Sequence, residues 1–193
     1  MKVAILDVGA GNIGAVRVAF ERLGVEPATT RDPAALASAD RVVLPGVGAA
    51  GFVMERIRAL GLEAPIRGLT SPVLGVCLGM QILFEHSEEG DTPCLGLLPG
   101  RVRRLEPAPD RPVPHMGWSR VSVRDDTTGL EDGDYLYFAH GYACDDGPWT
   151  AAAADYGQAV PAVVRRDNWL GAQFHPERSG EAGARFLQRF VAG

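Results

Sequence analysis

The stretch PVLGVCLGMQILF, residues 72–84, joins an apolar strand to a helix through a cysteine that lies between two glycines. The pattern Gly-x-Cys-x-Gly at positions 75–79 is typical of a nucleophile elbow, in which small neighbours permit a tight turn. Such a turn presents Cys77 at the start of a helix, where partial positive charge favours a thiolate. The alternative is an inert cysteine buried in the core, as free cysteines often are.

Apolar strands and helices alternate through the first half of the chain, which predicts a parallel sheet covered by helices. The predicted strands span residues 3–8, 25–29, 42–44 and 73–76, and the predicted helices span 13–23, 33–38, 52–60 and 78–86. The second half has short strand patterns near 102, 113, 121–123, 135–138, 151–154 and 160–164, followed by a helix over 180–191. Turn residues between these strands indicate hairpins. We therefore predict an α/β fold with an open, mostly parallel central sheet, helices on both faces and an antiparallel region in the second half, as one domain over residues 1–193.

Composition excludes several functional classes. The chain of 193 residues carries 19 basic and 24 acidic residues, a net charge of −5, so no overall positive field favours nucleic acid or an anionic membrane. The longest weakly polar stretch, Val42–Met54, is interrupted by Pro45 and glycines and is too short to span a bilayer. Three widely spaced cysteines predict neither a disulfide framework nor a metal site. With no signal-peptide pattern at the start, a reducing cytoplasm is the expected location.

A base for the cysteine is predicted in the stretch LGAQFHPERS, residues 170–179. His175 follows a strand-like run, and Glu177 lies two residues later, across Pro176. An ionised Glu177 could hold the imidazole in one tautomer, which would complete a Cys77–His175–Glu177 triad. The alternative is a surface histidine beside a glutamate.

A third stretch, VVLPGVGAAG at residues 42–51, ends a buried strand in a glycine-rich loop. This loop could supply a backbone N–H from Gly46 or Val47 that faces Cys77. Together with the N–H of Leu78, it would form an oxyanion hole. Alone, the loop is equally consistent with an ordinary turn between a strand and a helix.

The N-terminal stretch LDVGAGNIGAV, residues 6–16, matches the glycine pattern of dinucleotide-binding folds through Gly9, Gly11 and Gly14. A lone match of this pattern is a weak signal. Asp32 could serve as the acidic residue that such sites place downstream, or it could cap a helix that begins at Pro33. We interpret the pattern as a chance match rather than a dinucleotide site.

The segments PGVG at 45–48, GVCLGMQ at 75–81 and FHPE at 174–177 resemble, in order and spacing, the class I triad glutamine amidotransferases. Further segments resemble the glutaminase subunits of imidazole glycerol phosphate synthases within that family: LDVGAGN at 6–12, SEEG at 87–90, CLGLLPG at 94–100, PHMGWS at 114–119 and YFAHGY at 137–142. The resemblance implies hydrolysis of glutamine to glutamate and ammonia through a thioester on Cys77. It also implies a heterodimer with a cyclase subunit, a (β/α)₈ barrel that uses the ammonia to make imidazole glycerol phosphate and aminoimidazole carboxamide ribotide in histidine biosynthesis. No metal or organic cofactor is implied.

The same resemblance assigns further residues. It places Gly48, Gln81, Glu89, Gly141 and Tyr142 around the glutamine substrate. It places Asn12, His115, Met116, Trp118, Tyr137 and Arg178 at the partner interface. The chain departs from the family pattern at Val8, Ser119, Gly141 and Arg178, where the family usually has Tyr, Asn, Ser and Lys, respectively.

Three alternatives remain at this point. The chain could be a glutaminase subunit that serves pyridoxal phosphate or aminobenzoate synthesis, a non-catalytic amidotransferase-like binding module, or a dinucleotide-binding oxidoreductase.

Overall fold

The computed structural model describes all 193 residues. The strands are β1 Val3–Leu6, β2 Ala28–Thr30, β3 Arg41–Leu44, β4 Val73–Val76, β5 His86–Ser87, β6 Thr92–Pro93, β7 Arg101–Arg104, β8 His115–Val123, β9 Tyr135–His140, β10 Tyr142–Cys144, β11 Thr150–Asp155, β12 Ala159–Arg166 and β13 Trp169–Ala172. The helices are α1 Ile13–Glu21, α2 Pro33–Ala37, α3 Ala50–Ala59, α4 Glu63–Arg67, α5 Leu78–Gln81 and α6 Gly180–Ala192. Short 3₁₀ turns cover Asp126–Thr128 and Pro176–Arg178.

A nine-stranded sheet with the order β2-β1-β3-β4-β13-β12-β11-β8-β9 forms the centre of the molecule. Its first five strands pair in parallel, and the remaining pairings are antiparallel. Helices connect the parallel strands of the first half, because a parallel pair needs a long crossover. The predicted α/β sheet, with an antiparallel region in the second half, is therefore confirmed.

Two apolar layers cover the sheet, one on each face. Along β3, Val42 and Leu44 belong to one layer and Val43 to the other, as the alternation of side chains in a strand requires. Helices α3 and α4 cover the first layer with side chains such as Met54 and Ile66. Helices α1 and α6 cover the second layer with side chains such as Phe20 and Phe186. Helices therefore lie on both faces, as the sequence predicted.

A second, four-stranded sheet with the order β10-β7-β5-β6 was not predicted. The helix expected to reach His86 stops at Gln81, and the next residues form tight turns that bury Leu83 and Phe84. The backbone N–H of Glu85 then donates to Gly100 O at 3.2 Å, and β5 begins one residue later. The apolar run from Ile82 to Phe84 therefore belongs to the core after a single helical turn. Periodicity alone cannot distinguish such a buried turn from a longer helix.

Three glycines hold the first residues of α5 against the ends of β3 and β4. A Cβ placed on Gly79 would lie 1.9 Å from Leu44 O, and one on Gly75 would lie 2.4 Å from Gly79 O. A Cβ on Gly46 would lie 2.3 Å from Gly79 N. Each of these positions therefore excludes any larger residue, since the obstructing atoms are backbone and cannot rotate away.

We expect Gly79→Ala to destabilise the fold by at least about 3 kcal/mol, because the new methyl group overlaps a backbone carbonyl. The matched control is Gly14→Ala in α1, where an added Cβ meets no atom within 4 Å. That change should raise stability by about 0.5–1 kcal/mol, since alanine is the better helix former. Urea denaturation of both variants measures the difference, and equal midpoints would contradict the packing argument.

Candidate active site

Cys77 lies at a strained turn between β4 and α5. Its backbone has φ 52° and ψ −111°, a left-handed conformation that is rare for a residue other than glycine. The side chain is 7% exposed and lines a cavity of about 390 Å³, a volume suited to a small ligand. The structure thus shows the turn expected of a nucleophile elbow, although the regular helix that follows is only one turn long.

The pairing of β4 with β13 brings His175 to Cys77. Val76 pairs with Ala172 in parallel register, so the residues that follow both strands leave the sheet at the same edge. His175 and Cys77 line the same cavity, and His175 Nδ1 lies 2.9 Å from Glu177 Oε1. Pro176 begins the 3₁₀ turn that allows His175 and Glu177 to meet. The three residues predicted to form a triad are therefore adjacent in space.

The charge on His175 reflects these two neighbours. Burial opposes protonation of the imidazole, but hydrogen bonds with Cys77 and with Glu177 raise the pKa of His175 to about 10. The imidazole is therefore protonated at neutral pH, and Glu177, whose side chain is 3% exposed, faces it from the other side. This arrangement places a proton donor beside the candidate nucleophile.

Ser179 fixes the backbone around His175, a role that the sequence did not reveal. Its hydroxyl donates to His175 O at 2.8 Å and accepts from the N–H of Tyr137 at 3.0 Å. The N–H of His175 in turn donates to Tyr137 O at 2.9 Å. Strand β9 and the turn that carries the base therefore form one hydrogen-bonded unit.

Two residues that could supply backbone N–H groups lie beside the cavity, one at the start of α5 and one in the loop after β3. The N–H of Leu78 is the first of its helix and has no helical carbonyl to bond. Leu78 and Val47 both line the cavity, whereas Gly46 is buried behind it against Gly79. Of the two residues predicted as the second N–H donor, Val47 therefore borders the space where an oxyanion would form.

The residues assigned to the substrate all line this cavity: Gly48, Gln81, Glu89, Gly141 and Tyr142. Gln81 is 4% exposed, and its Nε2 donates to Tyr142 O at 2.9 Å. Glu89 Oε2 accepts from the N–H of Ala50 at 2.8 Å, which ties it to the first residue of α3. The cavity therefore has polar groups on several sides, each held by the surrounding fold.

An exposed aromatic group borders the mouth of the cavity. Met116 and Trp118 on β8 are 66% and 55% exposed, and Trp118 packs edge-on against Tyr137 with ring centroids 6.0 Å apart. The guanidinium of Arg178 lies 4.7 Å from the centroid of Tyr137. We call Met116, Trp118, Tyr137 and Arg178 the rim patch. Asn12 also lines the mouth, where its side chain caps α1.

His115 requires a correction, because it is 2% exposed and offers no surface to a partner. Its ring stacks between Tyr156 and Phe138, with centroid distances of 3.9 and 4.7 Å. The alternation of side chains along β8 explains the error, since His115 points inward where Met116 points outward.

His115 and His140 form a buried pair whose tautomers are determined by their partners. His140 Nδ1 lies 2.7 Å from Tyr142 O, which can only accept, so His140 Nε2 accepts from His115 Nδ1 at 3.1 Å. His115 Nε2 is then left to accept from Ser119 Oγ at 2.8 Å. Burial lowers the pKa of both histidines to about 4. Both rings are therefore neutral at physiological pH, unlike His175.

Other features of the chain are less suited to chemistry. Burial raises the pKa of Cys94 to about 11 and also raises the pKa of Cys144, so both thiols stay protonated.

A cleft of about 200 Å³ at the opposite end of β4 and β13 has neither cysteine nor histidine in its lining. No group of three or more His, Cys, Asp or Glu side chains could hold a metal ion. None of the helices has both the length and the apolar character that a bilayer crossing requires.

The glycines of the N-terminal pattern do not pack as a dinucleotide fingerprint requires. In such folds, the third glycine allows close contact between helix and strand. Here a Cβ on Gly14 would meet open space. Asp32 caps α2 by accepting from the N–H of Ala34 at 3.0 Å. The structure thus uses Asp32 in the second of the two ways that the sequence allowed.

Comparisons with known proteins show the family to which the chain belongs. The sequence profile described as "Glutamine amidotransferase class-I" matches residues 4–193. The "Imidazole glycerol phosphate synthase subunit HisH" of Xanthomonas oryzae pv. oryzae (strain MAFF 311018) is 55% identical over 192 residues, which cover 98% of this chain and 96% of that protein. The protein of the same name from Xylella fastidiosa (strain Temecula1) is 52% identical over 193 residues, with 98% and 96% covered. A solved structure described as "Crystal structure of glutamine amidotransferase" shares the fold, with a TM-score of 0.77 and 24% identity over 98% of this chain and 97% of that one.

The raised pKa of His175 should depend on Cys77. We expect Cys77→Ala to lower the pKa of His175 from about 10, because the hydrogen-bonded negative partner is lost and burial opposes the charge. Titration of the imidazole resonances by NMR measures this change, and Cys94→Ala should leave the value unchanged. A His175 that titrates near its ordinary value of 6.5 in the unsubstituted chain would contradict the ion pair.

The His115–His140 pair should make the fold sensitive to acid. Between pH 6.5 and 4, unfolded histidines bind protons that the folded pair does not, so stability falls as the pH falls through this window. Each histidine contributes a slope of up to about 1.4 kcal/mol per pH unit. We expect His115→Gln to flatten the slope measured by urea denaturation at several pH values. Gln188→Met, an exposed substitution on α6 that changes no titratable group, should keep the original slope.

Proposed function

Because this chain belongs to the class I glutamine amidotransferase family, we propose that it is the glutaminase subunit of an imidazole glycerol phosphate synthase. Two synthase subunits are 55% and 52% identical to it over nearly the whole chain, and the family profile extends over residues 4–193. The proposal therefore treats residues 1–193 as one glutamine amidotransferase domain. The observation that carries the chemistry is the buried Cys77–His175–Glu177 arrangement at the elbow.

In the first half of the reaction, the Cys77 thiolate attacks the side-chain carboxamide carbon of glutamine. The resulting oxyanion accepts hydrogen bonds from the N–H groups of Leu78 and Val47. The imidazolium of His175 gives its proton to the nitrogen, the carbon–nitrogen bond breaks, and ammonia leaves. A glutamyl thioester on Cys77 and a neutral His175 remain, and the pKa of about 10 supports His175 as the donor in this step.

In the second half, neutral His175 takes a proton from water as the oxygen attacks the thioester carbonyl. The tetrahedral intermediate collapses, expels the Cys77 thiolate and releases glutamate. Cys77 is then again a thiolate, and His175, which took the proton from water, is again an imidazolium. Glu177 holds Nδ1 of His175 at 2.9 Å through both steps and keeps Nε2 directed to the reacting atoms. The sum of the steps is glutamine plus water giving glutamate plus ammonia.

The cavity supports glutamine as the substrate. The ammonium group of an amino acid needs acceptors, and Glu89 supplies a carboxylate in a cavity that Tyr142 also lines. Gln81 and the glycines at 48 and 141 complete the lining with small or amide groups. A cavity of about 390 Å³ suits a molecule of this size.

The fate of ammonia gives the reason for a partner. Ammonia is mostly protonated in water at neutral pH and is then no longer a nucleophile, so a protected route to a second site is needed. The relatives are named as synthase subunits, which supports a cyclase partner, and we propose a (β/α)₈ barrel that forms a heterodimer with this chain. The rim patch and Asn12 form the proposed docking surface, since exposed apolar groups beside a cavity are typical of interfaces.

A cytoplasmic location and a role in histidine biosynthesis complete the proposal. Three free cysteines fit a reducing compartment. The role in the pathway rests on the names of the relatives.

The test measures glutamate release from glutamine by the chain alone and then with a cyclase barrel and its nucleotide ligand. We expect low activity alone and a steep rise in the complex. Cys77→Ala should lower the activity of the complex by at least about 1,000-fold, because no other group can form the thioester. Cys94→Ala, a matched control for a buried thiol, should keep it.

Two outcomes would contradict parts of this proposal. High activity that does not respond to the barrel would keep the triad but remove the assignment to this synthase. Full activity in Cys77→Ala would show that the cavity is not the site of glutamine hydrolysis.

A further inference from the structure

Gln173 is a fully buried amide that the glutaminase reaction leaves without a role. Its exposed fraction is 0%, and it lies beside Cys77 without lining the cavity. An amide side chain placed in a protein core costs free energy unless its polar atoms are paired. The neighbours of its oxygen and its nitrogen therefore indicate why a glutamine occupies this position.

The orientation of the Gln173 amide follows from a chain of hydrogen bonds. Tyr142 O can only accept, so the group of Gln81 that lies 2.9 Å from it is the amide nitrogen. The same nitrogen donates its second hydrogen to Gln173 Oε1 at 3.0 Å. Gln173 Nε2 is then directed to the other side, where it lies 3.8 Å from Cys77 Sγ.

The backbone holds Gln173 beside the nucleophile. Because Val76 pairs with Ala172, the next residues of both strands, Cys77 and Gln173, leave the sheet together. The N–H of Cys77 donates to Ala172 O at 2.7 Å, and the N–H of Gln173 donates to Ala162 O at 2.9 Å. The amide and the thiol are thus held on adjacent strands, which leaves little freedom in their separation.

We propose that Gln173 is a positioning residue for the nucleophile: its amide donates a hydrogen bond to the Cys77 thiolate and holds the sulfur toward the substrate cavity. A hydrogen bond to a charged acceptor is stronger than one between neutral groups, so the thiolate is the form that gains. His175 lines the cavity together with Cys77, and Gln173 supplies a separate restraint on the sulfur. This inference rests on the proposed function, in which the thiolate of Cys77 is the reacting group.

Two variants of similar volume test the hydrogen bond. Gln173→Met removes both polar atoms, and Gln173→Glu replaces the donor with a carboxylate that repels the thiolate. Gln188→Met is the matched control, because Gln188 is exposed on α6. The readout is the rate at which iodoacetamide alkylates Cys77 in the full chain at neutral pH, followed by mass spectrometry of the Cys77 peptide.

We expect alkylation to slow about tenfold in Gln173→Met and further in Gln173→Glu, while Gln188→Met keeps the original rate. In the complex with the barrel, kcat should fall by a larger factor than KM rises, since Gln173 does not line the cavity. Unchanged alkylation in both Gln173 variants, with circular dichroism and melting like those of the original chain, would overturn the proposal.

A measurement that needs no change at Gln173 covers the case in which both variants misfold. The side-chain amide resonances of Gln173 should shift in Cys77→Ser, because the acceptor changes from sulfur to a neutral hydroxyl. Resonances that stay in place would overturn the proposal.

If the original chain shows neither glutamate release with the barrel nor alkylation of Cys77 faster than of Cys94, the proposed function fails as well. If the original chain releases glutamate and its Cys77 is alkylated faster than Cys94, while the Gln173 variants keep the same alkylation rate, only the role of Gln173 is overturned.

Discussion

The left-handed backbone of Cys77 is the constraint on which the rest of the site depends. At φ 52°, the chain reverses within one residue, which directs the side chain into the cavity and leaves the N–H of Leu78 at the helix start. The turn is possible because glycines at 46, 75 and 79 let three backbone segments meet without side chains between them. Strain at a functional residue persists only where its surroundings enforce it. Close packing of the loop after β3 against α5 provides that enforcement.

Burial has opposite consequences for the histidines, according to their partners. His175 faces an acidic group on each side and is protonated, whereas the His115–His140 pair faces a carbonyl and a hydroxyl and is neutral. The charged imidazole can give a proton to a leaving group. In the neutral pair, His140 instead donates a hydrogen bond to Tyr142 O, which also accepts one from Gln81 Nε2. The protein therefore combines one protonated histidine with two neutral histidines. Their protonation states differ because the fold gives the rings different hydrogen-bond partners.

Much of the architecture could be predicted because local signals agreed with the final packing. The strand over Val73–Val76 was predicted with its observed bounds. Asp32 caps its helix, which is one of the two roles that the sequence allowed. The helix expected to reach His86 was too long, because apolar residues fit a core turn as well as a helix face. Gln173 carried no local signal of its position beside Cys77, because its contacts with Gln81 and Cys77 come from distant segments of the chain. Ser179 accepts from the backbone of another element, a contact that no local pattern encodes.

Local patterns in the chain identify the residues that could do chemistry, a cysteine between glycines and a histidine and glutamate around a proline. They also identify the alternating apolar runs that make an α/β sheet. Those properties depend on side-chain type and on spacing along one segment. Which of these residues meet depends on the pairing of strands that are far apart in the chain. Residues 77 and 175 come together because β4 and β13 pair in parallel, and His115 turns inward while Met116 faces solvent because β8 has one buried face. Strand order and register arise from packing the whole core, and no single segment of the chain contains that information.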